Sequence, residues 1–232
     1  MTNEPETKTN QQRKATMKTQ DTGKRMVMAG LLAGLMVAGT TMVQQVSAQQ
    51  PGVVVSLGQL NSEIHKLRES VGRTMGALEQ LKGAAANNGD LNKAYANFSA
   101  LYAELESQAN DVRQHGTAAK ARAKQHWEAW QKELTDMQNA KLREKAQKRY
   151  TAASGEFEKI STRVEAAKEK FAPLMADLKD INTYLRADLS KDAVSSLSNT
   201  IWKMGISGRS ADSKLADVNE QIEKTMKKMP QS

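Results

Sequence analysis

From Leu60 onward the apolar residues of this chain recur at alternating steps of four and three. That spacing returns to one side of a 3.6-residue helix, and no run shows the strict alternation of a half-buried strand. Divided at its Gly, Asn and Pro breakers, the pattern predicts four helices. The first runs from about Ser56 or Asn61 to Lys82 and carries Leu60, Ile64, Leu67, Val71, Met75, Leu78 and Leu81 on one stripe. Gly83 to Gly89 reads as a turn, and Asp90 as the N-cap of a long second helix.

In that second helix the stripe runs from Leu91 through Tyr95, Phe98, Tyr102 and Leu105 to Ala119 and Ala123. The next apolar residue is Trp127, so two steps of four follow one another, a stutter that locally unwinds a supercoil. Trp130, Leu134 and Met137 resume the alternation. Near Gln138 and Asn139 the pattern breaks, and a third helix carries Leu142, Tyr150, Phe157, Ile160 and so on to Leu185. Trp127, Trp130, Leu134, Leu142 and Tyr150 are therefore expected to form a buried structural seam between the second and third helices. Pro173 lies inside the third stripe without disturbing its phase, which predicts a kink and not an end. Ser190 is the expected cap of a fourth helix with Val194, Leu197 and Ile201, interrupted at Gly205 to Gly208 before Leu215, Val218, Ile222 and Met226.

Short turns between long helices force antiparallel neighbours. The expected fold is all-α, an elongated antiparallel coiled coil or up-down bundle of about four long helices, the central pair being roughly 70 Å long at 1.5 Å per residue. Composition agrees, since only 4% of the residues are aromatic while 39% are hydrophobic, which favours helix seams over a compact aromatic core. The chain has no cysteine, so no disulfide holds it and no cysteine-linked lipoprotein anchor can form.

The first fifty residues follow a different rule. Met26 to Val43 are uncharged, preceded by Lys24 and Arg25 and followed by Val46-Ser47-Ala48, a small-x-small exit pattern. Residues 1–48 read as a secretory signal peptide with a long n-region. Residues 49–59 read as a short linker, 60–228 as the helical rod and 229–232 as a tail. The expected location is outside the cytoplasm, periplasmic or envelope-associated. The alternative is an uncleaved inner-membrane anchor at residues 26–43, whose eighteen residues approach the roughly 20 that span a bilayer.

Charge is distributed unevenly. Ten basic and four acidic residues lie between Arg113 and Arg149. With Asn139 at a hairpin tip, Lys120, Arg122, Lys124, Lys132, Lys141, Arg143, Lys145, Lys148 and Arg149 form a candidate polyanion-binding end, against the alternative of an ordinary solvated face. His65, His115 and His126 are the chain's three histidines, and none has another at helical spacing or a Glu three residues before it, so the Glu-x-x-His pattern of di-iron bundles is missing. No phosphate-cradling glycine loop, nucleophile elbow or cysteine nucleophile occurs. The expectation is a non-enzyme with no catalytic residue, metal, cofactor or small-molecule substrate.

Trp130, Glu133-Leu134, Asn139, Leu142-Arg143, Pro173-Leu174, Leu178, Asp180, Leu185 and Ala193 to Leu197 resemble a bacterial family of exported coiled-coil proteins catalogued as domain of unknown function 2959. The resemblance covers roughly Leu60 to Met226, although Arg186 to Ser190 departs from a more polar, Asn-rich turn. It implies the helical fold and export, and it implies no activity. The functional expectation is a structural or interaction scaffold of the cell envelope, partnered by an unknown envelope protein or by itself. The alternative is a binding module whose basic tip docks on anionic wall polymer or phospholipid head groups. Nucleic acid is not an expected partner of an exported chain. Export should yield a chain that starts at Gln49, which the intact mass of the periplasmic product will show; recovery of full-length chain from membranes alone would establish the anchor instead.

Overall fold

A computed structural model describes residues 50–229. Five helices follow one another: α1 (Gln50–Ala86), α2 (Leu91–Asp136), α3 (Ala140–Ala187), α4 (Lys191–Ser196) and α5 (Ser198–Lys228). The chain is all-α among the described residues. The caps follow the sequence. Asp90 and Asn139 each accept a hydrogen bond from the backbone N–H three residues on, at 3.0 Å and 3.1 Å, and Ser190 Oγ accepts from Ala193 N at 3.1 Å. Such side chains satisfy donors that the first turn of a helix leaves free. Asn88 terminates α1 with φ of 54°, a left-handed conformation that asparagine tolerates better than most residues.

The helices run up and down around a common core. Along α1 and α2, Arg73 grips Glu104 and Arg122 reaches Ser56 Oγ, so low numbers on one helix meet high numbers on the other. Arg68 binds Asp212 at 2.7 Å and Asn219 Nδ2 donates to Asn61 O at 2.9 Å, which sets α1 against α5 in the same antiparallel sense. Lys228 with Glu156 and Arg163 with Glu220 do so for α3 and α5. α1 is buried along two seams, with Leu57, Ile64, Leu78 and Leu81 almost inaccessible and Ser56, Ser70 and Thr74 buried beside them. Thr74 Oγ1 lies 2.8 Å from Ser70 O and 3.1 Å from Leu101 O, placing its hydroxyl at the α1–α2 seam.

Several boundaries differ from those the sequence predicts. The stretch expected as a linker is helical from Gln50, with Val53 and Leu57 buried. These residues continue the stripe of Leu60 upstream, and packing there overrides the weak helix propensity of three consecutive valines. The turn is also shorter than Gly83 to Gly89, because α1 extends to Ala86. At the other end of the chain Gly205 to Gly208 does not interrupt the helix; the break falls at Leu197, and α5 is continuous from Ser198.

Gly208 instead permits close approach. A Cβ there would lie 3.0 Å from Met75 Cγ and 3.5 Å from Met75 Sδ on α1, closer than carbon atoms ordinarily pack. Gly76 meets nothing within 4 Å and has no such reason to be glycine. Gly208→Val should therefore destabilise by about 1–3 kcal/mol through overpacking, with part of that loss restored by Met75→Ala. Gly76→Ala should stabilise by about 0.5–1 kcal/mol. Urea unfolding followed by circular dichroism measures all three, and equal effects of the two glycine substitutions would remove the close-approach explanation.

Candidate functional site

α2 and α3 are the longest helices, with 46 and 48 residues, and the lengths of their partners define what they can expose. At one level Val53 and Val54 of α1, Thr225 and Met229 at the end of α5, and His126, Trp127, Trp130 and Arg149 line a shared cavity of about 240 Å³. Beyond it, among the described residues, the hairpin of α2 and α3 continues with little cover: from Gln131 to Arg149 only Leu134 is buried. The hairpin thus has a neck, where four helices meet, and a tip of two.

Aromatic packing holds the neck. Trp127 and Trp130 stack with ring centroids 5.9 Å apart, and Tyr150 from α3 sets its edge against both, at 5.9 Å and 5.6 Å. Phe157 meets Trp127 at 6.4 Å. Edge-to-face pairs at such separations are favourable beyond the area they bury. His126 sits against the two indoles at 4.9 Å and 5.6 Å and is only 7% exposed.

That burial moves the predicted stutter. The buried stripe of α2 continues from Ala119 and Ala123 to His126, a step of four followed by three, and Trp127 lies half-buried beside it. The slip falls one turn later, between Trp130 and Leu134. A histidine counted as polar concealed the true phase. Burial lowers the His126 pKa, so the imidazole is held neutral among aromatic rings.

Leu142 departs from the expected seam altogether and is 57% exposed. It keeps the spacing of the stripe, but it stands in the first turn of α3 beyond the last buried residue of α2. No helix remains there to cover it. Trp127, Trp130 and Tyr150 are half-buried at the neck, and Leu134 is buried.

The nine basic candidates do not form one patch. Lys120 lies lower, on the wall of a groove in the bundle body, and Arg122 is turned toward Ser56 of α1. Arg149 lines the neck cavity. Lys124 faces Glu128 at 3.8 Å and Lys148 pairs with Glu144 at 2.8 Å. Arg143 donates to the carbonyl of Met137 at 3.4 Å, closing the turn. Lys132, Lys141 and Lys145 have no carboxylate within ion-pairing distance among the described residues. The tip proper therefore presents Lys141, the exposed Leu142, Arg143 and Lys145 in the first two turns of α3, with Lys132 near the end of α2.

One residue of the neck escaped the sequence reading. Glu156 accepts from Lys228 at 2.7 Å, Gln221 at 2.9 Å and Lys159 at 3.1 Å. Lys228 and Lys159 together hold its carboxyl down to about 2. Two of these donors come from α5, 65 and 72 residues away, and no local spacing announces them. Among the described residues no group of acidic and histidine side chains is arranged to hold a metal ion.

Residues 55–231 match the family described as "Protein of unknown function (DUF2959)". The chain belongs to that family. Neither a curated protein nor a solved structure matches it. Family membership accords with the resemblance seen in the Trp130, Asn139 and Pro173 punctuation, and it adds no activity. No described helix is long and apolar enough to cross a membrane; the apolar run at residues 26–43 lies outside the described residues.

The buried histidine makes a pH dependence calculable in sign. An unfolded histidine titrates near 6.5, whereas the folded site refuses the proton. The stability that neutral His126 contributes is thus complete above pH 6.5 and is lost as pH falls below it, because the unfolded chain then binds more protons. The Glu156 contribution is separate, being lost only as pH falls from about 4.5 toward 2. The urea midpoint should fall between about pH 7 and pH 5, and His126→Phe should flatten that fall. Parallel curves for the two proteins would show that His126 is not the group responsible.

Proposed function

We propose that this protein is a non-enzymatic docking and scaffold protein of the cell envelope, and that the end of its α2–α3 hairpin rests on an anionic lipid surface. The observation that carries the reading is the exposed Leu142 between Lys141 and Arg143, at the far end of a two-helix extension that also presents Lys132 and Lys145. An exposed apolar side chain with cations as its chain neighbours suits a bilayer interface, where lysine heads meet phosphate and the leucine enters the acyl boundary. Each such cation contributes about 1 kcal/mol near an anionic surface, screened over a Debye length of about 8 Å at physiological salt. Export, which brings the chain to that surface, rests on the apolar run and the Val46-Ser47-Ala48 exit pattern.

A second reading, a scaffold that joins another envelope protein or a second copy through apolar surface, is supported by Trp202 and Ile206. They lie one turn apart on α5 and are 60% and 45% exposed. This pair sits near the end of the bundle opposite the hairpin tip, so the two surfaces can be tested separately.

Sedimentation with phosphatidylglycerol-containing vesicles distinguishes them. Lys132, Lys141 and Lys145 to Gln should weaken vesicle binding by up to about 3 kcal/mol at low salt and by little at high salt. Leu142→Asp should weaken it at both. The same change at Lys170, Lys179 and Lys203, which are exposed on the body, should have a small effect. If the two lysine sets weaken binding equally, or the parent protein does not bind at low salt, the tip is not the docking surface.

A further inference from the structure

Two contacts between α2 and α3 bracket a groove. At the lower place Tyr95 Oη donates to Asn182 Oδ1 at 3.2 Å; at the upper, Trp127 meets Tyr150 and Phe157. In the interval the helices leave a groove of about 350 Å³. Its floor comes from the other two long helices, through the buried Leu60 and Ile64 of α1 and Leu215 and Val218 of α5. One wall is α3, where Phe157, Val164 and Phe171 are half-buried against the core. The other wall is α2, where Ala109, Val112 and Gly116 are small and cannot reach across.

The size and lining are those of a small-molecule site, mostly apolar with a few polar groups at the edge. Shape narrows the choice of ligand. From Phe157 to Phe171 the groove runs about 20 Å at 1.5 Å per residue, and a single acyl chain in one leaflet extends over half of a hydrocarbon core about 30 Å thick. The groove is thus long enough for one extended chain.

Charge supplies the rest. Arg113, Thr117 and Lys120 follow at i, i+4 and i+7 on the α2 rim, so their polar ends stand along one side of the opening. Lys120 has no carboxylate within ion-pairing distance among the described residues, while Arg113 donates only to the neutral Asn110, at 2.6 Å. On the opposite rim Lys168 is already paired with Glu165 at 2.7 Å. The uncompensated charge of the rim is positive and lies on α2. A neutral hydrocarbon would leave it unused, and a cationic amphiphile would be repelled.

We propose that this groove binds a single long-chain fatty acid, its tail laid between the half-buried Val112, Phe157, Val164 and Phe171 above the buried Leu60 and Leu215, and its carboxylate held at the rim by Arg113 and Lys120. The site is distinct from the hairpin tip, and neither depends on the other.

The test titrates the full mature chain with cis-parinaric acid, whose fluorescence rises on entering an apolar site, and repeats the titration with its methyl ester. Saturable binding of the acid at one equivalent is expected. Gly116→Leu, which fills the groove from the α2 wall, should abolish it. Arg113→Gln with Lys120→Gln, both exposed and foldable whatever becomes of the Gly116 variant, should weaken the acid about tenfold and leave the ester unchanged. The Lys132, Lys141 and Lys145 variant should bind the acid as the parent does. Failure of the parent to bind, equal weakening of acid and ester, or loss of binding in the tip variant would overturn the proposal. So would sedimentation showing that the groove is closed by a second copy of the chain that the acid does not displace.

Discussion

The double burial of α1 is the constraint on which the rest of this molecule depends. Without cysteine, and with few aromatic residues, the chain has helix seams alone to hold it together. α1 lies against α2 on one side and α5 on the other, and its largest apolar residues are almost wholly removed from water. Burying each such side chain stabilises the fold by about 1.5–3 kcal/mol. Of the three buried polar residues on the same helix, Ser56 and Thr74 do not oppose this, because they bond backbone carbonyls one turn back, whereas Ser70 Oγ is buried without a partner among the described residues. Where Met75 of α1 faces α5, Gly208 makes room for it. A helix so committed fixes the spacing of α2 and α5 on either side of it.

Length then decides exposure. α1 and α5 have 37 and 31 residues, against 46 and 48 for α2 and α3, so the longer pair must outrun its cover. The aromatic cluster stands at that boundary. Trp127, Trp130 and Tyr150 bind the two long helices to each other at the level where α1 and α5 cease to help. His126 completes the seam at the cost of refusing a proton. Beyond the clasp, the hairpin is held chiefly by its own turn, with Asn139 capping α3 and Met137 N–H returning to Glu133 O at 3.1 Å.

The periodicity of apolar residues made the helices and most of the core legible before any coordinates. Leu60 to Leu81, Phe98 to Leu105 and Ile160 to Leu185 lie where a four-three alternation places them. The failures share a physical cause, since each concerns a residue whose meaning depends on a distant partner. Gly205 and Gly208 read as breakers, but what Gly208 meets is a methionine 133 positions earlier in the chain. Leu142 has the spacing of a core residue and lacks a helix to face. His126 has the spacing too, but a count of apolar residue types passes over it. The basic end was visible as composition, whereas its division among groove, neck and tip followed from helix positions that charge counting does not contain.

The gap between α2 and α3 follows from the same arrangement and not from poor packing. Large residues meet at both ends of the interval, Tyr95 with Asn182 and Trp127 with Phe157, and these hold the helix axes apart. Between them the α2 wall turns small at Ala109 and Gly116, so nothing fills the distance so fixed. Closing the groove would require α2 to move inward, and its seam with α1 at Leu105, Ala119 and Arg122 prevents that. Interiors are ordinarily packed to crystal density, and along this interval the walls leave Val112, Phe157, Val164 and Phe171 only half-buried over a buried floor, which forgoes part of the stabilisation that full burial gives. An apolar channel bracketed by large residues at both its ends, with its unpaired cations on a single rim, is the geometry on which the proposed fatty-acid site rests.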